Sequence, residues 1–242
     1  MPSADLAGLS PADAAFWAEI EGARIIYVSE VHDNEMHHRQ QEVILQGLFA
    51  RGKQVVLGME MFEIDQQQLL NDWQAGGISI DSLFAAVNWQ KSWGVYSPAY
   101  RRIMEWSVAR DIRIYALNAP RSEVRKLMEG DKKVIARLRF DALEGGFDFF
   151  KSQMVHHPGM RAGGIERYYN VQQLWEQTMA ETIVKLAKKN PKKVVVVMIG
   201  RGHTDARFGV PAYVAQKIRA TQVVVDPTLK NPQSLLANTS AF

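Results

Sequence analysis

Residues 24–41 read Arg-Ile-Ile-Tyr-Val-Ser-Glu-Val-His-Asp-Asn-Glu-Met-His-His-Arg-Gln-Gln. The β-branched run Ile25, Ile26 and Val28 is too short for a helix and reads as a buried strand. It breaks at Ser29-Glu30-Val31-His32-Asp33-Asn34. A helix follows, with Asp33 or Asn34 as its N-cap and Ile44, Leu45, Leu48 and Phe49 on its apolar face. The carboxyl end of an inner strand, just ahead of a helix, is where α/β folds bind ligands. Here that end carries Glu30, His32, His37 and His38, which include three of the chain's six histidines.

The same strand–helix pattern recurs outward from this stretch. Residues 54–61 form a second strand with Glu60 near its end, and 112–117 a third that stops at Asn118-Ala119-Pro120. Residues 194–199, Val-Val-Val-Val-Met-Ile, are apolar on both faces and belong in the centre of a sheet covered on both sides. They run into Gly200-Arg201-Gly202-His203, and residues 222–225 make a last strand. Helices are predicted over 10–21, 64–75, 80–87, 98–110, 165–189 and 210–219. The fold class is therefore α/β: a mostly parallel central sheet with helices on both faces and a small helical insertion subdomain. One domain over 1–242 is expected, with helical excursions at about 63–110 and 121–163 forming a cap or subdomain. The tail from Pro227 is polar and reads as loose chain.

Composition narrows the function classes. At 242 residues, 47% hydrophobic and 23% charged, the chain is ordinary globular protein. A net charge of +3 gives no reason to expect nucleic acid. The basic turn at 188–193 reads as a solvated connection, because no stacking aromatics interleave with it. With no cysteine, disulfides and zinc–thiolate sites are excluded. No run approaches a membrane span. The first 21 residues carry Asp5, Asp13, Glu19 and Glu21 without a basic start, unlike a signal peptide. The compartment stays open.

If the strands are parallel, Glu30 and His32, Glu60, Asn118, and Arg201 and His203 share one rim of the sheet. Glu30, His32, Glu60 and His203 make a two-carboxylate, two-imidazole set. That set suits a divalent metal (Zn, Mn or Fe) or metal-free acid–base chemistry. Gly200 and Gly202 remove side chains beside it. His37 and His38 fall in the first turn of their helix, where the dipole favours a neutral ring. The cluster Trp89, Trp93, Tyr96 and Tyr100 reads as core packing.

These residues resemble a known family, the ChaN-like haem-binding uptake proteins. The resemblance rests on Ser29 to Asn34 with His37, His38 and Gln41, on Leu57-Gly58-Met59-Glu60-Met61-Phe62, and on Trp93 with Tyr100. It continues through Ala116-Leu117-Asn118-Ala119-Pro120, the run 173–180, and Gly200-Arg201-Gly202-His203 followed by Gly209-Val210-Pro211. It implies an α/β fold with a small helical subdomain. It also implies haem held at a dimer interface, with tyrosine on the iron and a partner histidine assisting. Tyr96, Tyr100, Tyr168 and Tyr169 are the candidate ligands. The wider superfamily includes TIKI-type metalloproteases and erythromycin-esterase-like proteins with paired Gly-x-x-His motifs. The second pair is intact at Gly200 and His203, whereas Ser29 stands where the first glycine is usual. The family's lipoprotein cysteine is missing.

Two functions follow as expectations. In the first, a tyrosinate holds ferric haem, His37, His38 or a partner's histidine assists, and arginines meet the propionates. A homodimer is then expected. In the second, Glu30, His32, Glu60 and His203 hold a metal that activates water for amide or ester hydrolysis, and Arg201 stabilises the developing charge.

Overall fold

The computed structural model describes residues 11–93, 98–154, 164–226 and 233–235. Its centre is a six-stranded sheet in the order β3-β2-β4-β1-β5-β6. The strands are β1 (Ile25–Glu30), β2 (Val55–Glu63), β3 (Ile114–Asn118), β4 (Val194–Gly200), β5 (Gln222–Val225) and β6 (Gln233–Leu235). The pairings among β1 to β5 are parallel, and β6 runs antiparallel on β5. β6 lies in the tail that had been expected to be loose chain. It shields the outer edge of β5, an edge that would otherwise expose unpaired backbone groups.

The helices are α1 (Pro11–Glu21), α2 (Glu35–Ala50), α3 (Gln67–Gln74), α4 (Ile80–Ala86), α5 (Trp89–Trp93), α6 (Pro98–Val108), α7 (Arg121–Met128), α8 (Lys132–Phe140), α9 (Gly146–Met154), α10 (Ile165–Lys189) and α11 (Val210–Lys217). Alternation along the strands sorts the core into two layers. Ile26, Val28, Val196 and Met198 pack with residues of α1 to α6. Ile25, Tyr27, Val195, Val197 and Ile199 pack with α10 and α11. Both faces are thus covered, which is why β4 is buried along its whole length. A smaller cluster joins Leu127, Val134 and Leu138 of α7 and α8 to Val171 and Leu174 of α10.

The strand order places the site. From β1 the chain moves outward to β2 and β3, returns to fill the gap with β4, and then passes to the other side of β1 with β5. The order reverses between β1 and β4, and a crevice opens at the carboxyl ends of strands at such a reversal. Glu30 is in register with Gly200 there. On the far edge, β3 is capped by side chains: Ala116 N–H donates to Gln67 Oε1 at 2.8 Å and Ile114 N–H to Gln74 Oε1 at 2.7 Å.

Candidate functional site: a strand-end crevice with two cavities

Glu30 closes β1 and is buried, held on the α2–α6 side of the sheet. Asn34 caps α2, its side chain accepting from Met36 N–H at 3.0 Å and His37 N–H at 3.4 Å. That start turns His38 inward. The Glu30 carboxylate then meets three donors: Tyr100 hydroxyl at 2.5 Å, His32 Nδ1 at 2.6 Å and His38 Nδ1 at 2.6 Å. Burial would raise its pKa, but hydrogen bonds from His32, His38 and Tyr100 outweigh burial and bring it down to about 2. The Tyr100 hydroxyl is pushed up by burial and by the charge it touches.

His38 corrects one expectation. Its Nε2 lies 2.9 Å from the His32 carbonyl, which can only accept. Its Nδ1 faces an ionised carboxylate. These neighbours draw the ring towards its charged form, against the neutral form expected at a helix start. Burial lowers its pKa, but Glu30 more than restores it. A full charge at 2.6 Å overrides the partial charge of a helix end. His37 does a different job: its Nδ1 accepts from Val31 N–H at 3.0 Å and closes the loop. Ser29, in the glycine position, donates to the Val225 carbonyl at 3.1 Å and ties β1 to β5.

The second half of the crevice comes from β2, β4 and α10. β2 shifts register against β3 between Met59 and Glu63, an irregularity that re-aims the side chains between them. Glu60 Oε2 accepts from Gly200 N–H at 2.6 Å, and its Oε1 lies 3.5 Å from His203 Nε2. On the other side of that ring, His203 Nδ1 is 3.3 Å from Glu176 Oε1. Gln172 Nε2 lies 2.7 Å from the same oxygen and 2.9 Å from Nδ1. Burial raises the Glu176 pKa. Burial lowers that of His203, but Glu60 and Glu176 reverse the effect. The pair thus keeps a proton to higher pH than either group would alone.

Gly200 joins the halves. A Cβ there would lie 2.8 Å from His32 Cε1, 3.0 Å from His32 Nε2 and 3.4 Å from Glu60 Oε2. The His32 ring therefore rests on β4 beside Glu60, and only glycine leaves room for it. Glu30, His32, Glu60 and His203 do converge. They are not arranged as a metal cage: among the described residues, no group of three or more His, Asp or Glu side chains could hold a metal ion. Their pairings with one another explain this, since His32 Nδ1 is taken by Glu30 and both His203 nitrogens face carboxylates. The expected divalent metal gains no support.

Two cavities open here. The smaller, about 440 Å³, is lined by His32, Glu60 and His203 with Met61, Trp93 and Trp175. Trp93 stands edge-on to His32 at 5.0 Å and Trp175 edge-on to His203 at 6.2 Å. Trp93 was expected in the core with Trp89 and Tyr100. Those two are buried, but Trp93 lies at the cavity, fixed by a 2.6 Å bond from its Nε1 to the Met61 carbonyl. The larger cavity, about 750 Å³, is walled by Phe149, Phe150 and Phe208, with Tyr169, Arg201 and Arg207 around it. Glu176 and Gln172 line the larger cavity while His203 lines the smaller, so this group of side chains separates the two. Arg201, expected beside the Glu/His set, lines only the larger cavity, with its Nε 3.7 Å from Asp226 Oδ2.

The candidate tyrosines separate by placement. Tyr96 lies outside the described residues. Tyr100 is buried with its hydroxyl on Glu30, and Tyr168 is 55% exposed. Tyr169 lines the larger cavity, and its hydroxyl packs so close to Gly146 that a Cβ there would lie 2.6 Å away. That hydroxyl has no hydrogen-bond partner among the described residues, and burial leads the causes that push its pKa up. The roles of Gln172, Glu176 and Tyr100 are not read from the sequence, although Glu176 lies in the run 173–180 and Tyr100 stands with Trp93 among the residues that carry the resemblance. A further signal is polar spacing, with Gln172 and Glu176 one turn apart beside Trp175.

The fold and crevice define a class: an α/β protein with a candidate ligand crevice at the carboxyl rim of a parallel sheet. The chain belongs to the family described as "Haem-binding uptake, Tiki superfamily, ChaN", whose family model matches residues 16–214. No curated protein matches the sequence. Among solved structures it is similar to ChaN of Campylobacter jejuni, described as binding haem cofacially. That match is 21% identical with a TM-score of 0.67, covering 89% of this chain and 85% of that one. It is also similar to the erythromycin esterase mutant EreC (11% identity, TM-score 0.54, 88% of this chain and 71% of that one). A third match is the RRSP effector domain of a MARTX toxin from Vibrio vulnificus CMCP6 (15%, 0.53, 95% of this chain and 38% of that one). At these identities the likenesses establish the shared fold.

Proposed function

We propose that this protein binds haem in the larger cavity, with Tyr169 as the axial ligand, and serves haem uptake or handling. The observation that carries this is the Tyr169 hydroxyl, unpartnered among the described residues, in a cavity of about 750 Å³ walled by three phenylalanines. That volume suits a cofactor, and aromatic walls suit a porphyrin face. Arg201 and Arg207 line the same cavity and are placed to meet carboxylates. Bound ferric haem supplies a Lewis-acidic iron that stabilises a phenolate. That charge offsets the burial which otherwise keeps Tyr169 protonated. Tyr100 is assigned to the interior and His38 to Glu30, so neither is left for iron.

A homodimer belongs to this reading. Phe147, 39% exposed, and Tyr168 are apolar surface next to Tyr169, which Phe147 meets edge-on at 5.3 Å. A second copy covering them fits the dimer that the family resemblance implies, in which a partner histidine assists at the iron. Adding haem to the pure protein should give a shifted absorption band and a larger sedimenting species. Absence of a band at stoichiometric haem removes the reading.

A second reading rests on the smaller cavity: metal-free hydrolysis of an amide or ester. The His32 side chain is 42% exposed, with Nδ1 tied to Glu30, so Nε2 is its free nitrogen. It would act as the base, with His203, held between Glu60 and Glu176, as the acid. Arg201 lines the other cavity and has no part in this version. A panel of activated esters and amides tests it: turnover lost in His32→Ala supports it, and no turnover by the native protein removes it.

A further inference from the structure

Parallel strands send all their amino ends to the rim opposite the cavities. The segments leading into β1 to β5 there are residues 21–24, 51–54, 109–113, 188–193 and 218–221. They contain ten lysines and arginines and two acids, Glu21 and Asp111. The whole chain carries only +3, so the rest of it is net acidic and positive charge is concentrated in these amino-rim segments. Helix dipoles account for part of this, since cations are favoured in a last turn such as Lys188 and Lys189 of α10. They do not account for Lys53 and Lys193, which stand just ahead of β2 and β4.

A cavity of about 380 Å³ opens between those two lysines, with Arg110 as its third cation and Phe49, Val55 and Ile112 as apolar lining. Arg110 lies over the Trp106 ring at 4.3 Å and gives one N–H to the Trp106 carbonyl, which fixes the guanidinium and leaves other donors free. Lys53 gives one proton to the Glu21 carbonyl at 3.0 Å and lies 4.0 Å from the Glu21 carboxylate, which also pairs with Arg51 at 2.7 Å. The Lys193 ammonium has no partner among the described residues. Asp111 lines the cavity too, so the local excess is two positive charges.

We propose that this amino-rim cavity binds a phosphate group carried on an apolar body. The cations take the phosphate, and the Phe49–Ile112 lining takes the apolar part. Such a ligand comes from one of two sources, the headgroup of an anionic lipid at a membrane surface or a soluble alkyl phosphate.

The test uses the full chain with vesicles of phosphatidylglycerol in phosphatidylcholine, vesicles of phosphatidylcholine alone, and hexyl phosphate in solution. The expected result is retention on the anionic vesicles alone, falling about 25-fold in the double variant Lys53→Gln/Lys193→Gln. Lys132→Gln, at an exposed lysine on α8, should bind as the native protein does. Hexyl phosphate shifting rim amide signals without vesicle retention supports the soluble source. Neither probe binding, the double variant binding as the native protein, or Lys132→Gln losing as much each overturns the proposal. An unchanged far-ultraviolet circular dichroism spectrum and unfolding midpoint in all variants report that the fold is intact.

Discussion

His38 Nδ1 sits 2.6 Å from Glu30 Oε2, and both side chains are at least 99% buried. With its Nε2 on the His32 carbonyl and its Nδ1 beside the Glu30 carboxylate, this histidine is biased towards the charged form. Nitrogen-15 shifts at pH 7 should show both His38 nitrogens protonated. A neutral tautomer would refute the assignment. The pKa of His38 is raised in the folded state, so its stabilisation is complete below the ordinary histidine value and fades as pH rises through the folded one. His38→Ala strands a buried carboxylate and should cost about 3–5 kcal/mol in denaturant unfolding.

Glu30 carries the complementary pH dependence. Its pKa is depressed from 4.5 to about 2, so its contribution is present above the higher value and lost as pH falls towards the lower. The size is on the order of 3 kcal/mol. Chemical denaturation between those pH values should show native stability falling steeply and Glu30→Gln nearly flat from a lower plateau. Parallel slopes would mean that Glu30 is not the titrating group.

Much of this was legible in the chain. The four valines that open β4 and the β-branched β1 announce central strands, and parallel pairing then brings Glu30, Glu60 and His203 to one rim. α10 was bounded at 165–189 from its periodicity, as observed. The missing parts were those that depend on which helix face turns inward. Tyr100 looks like one more core aromatic until its hydroxyl is found on Glu30, and Glu176 looks like a surface acid on a long polar helix. Local helix position favours a neutral His38, whereas the carboxylate that β1 delivers from eight residues earlier raises its pKa. β6 escapes the sequence because three residues, Gln233-Ser234-Leu235, carry no strand signal without the β5 edge they pair with.

Tyr100→Phe separates structure from ligation. It removes a buried 2.5 Å bond to a charged acceptor and should cost about 1.5–3 kcal/mol. Haem affinity should stay within twofold of native. Loss of haem binding in a folded Tyr100→Phe protein would return Tyr100 to the list of iron ligands.

Gly200→Ala tests the joint between the two halves of the crevice. The new methyl would overlap the His32 ring, so the ring must leave β4 or the strand must yield, at a cost of about 1–3 kcal/mol. The His32 ring signals should shift and its contact with Glu30 weaken. Unchanged signals and stability would show that His32 does not rest there.

The most direct measurement is a haem titration of Tyr169→Phe beside the native protein, followed by absorption and electron paramagnetic resonance. The native protein should bind one ferric haem per chain with a tyrosinate-type spectrum. The variant should lose that spectrum and at least tenfold in affinity. A native-like spectrum and affinity in Tyr169→Phe would contradict the assignment of haem to the larger cavity.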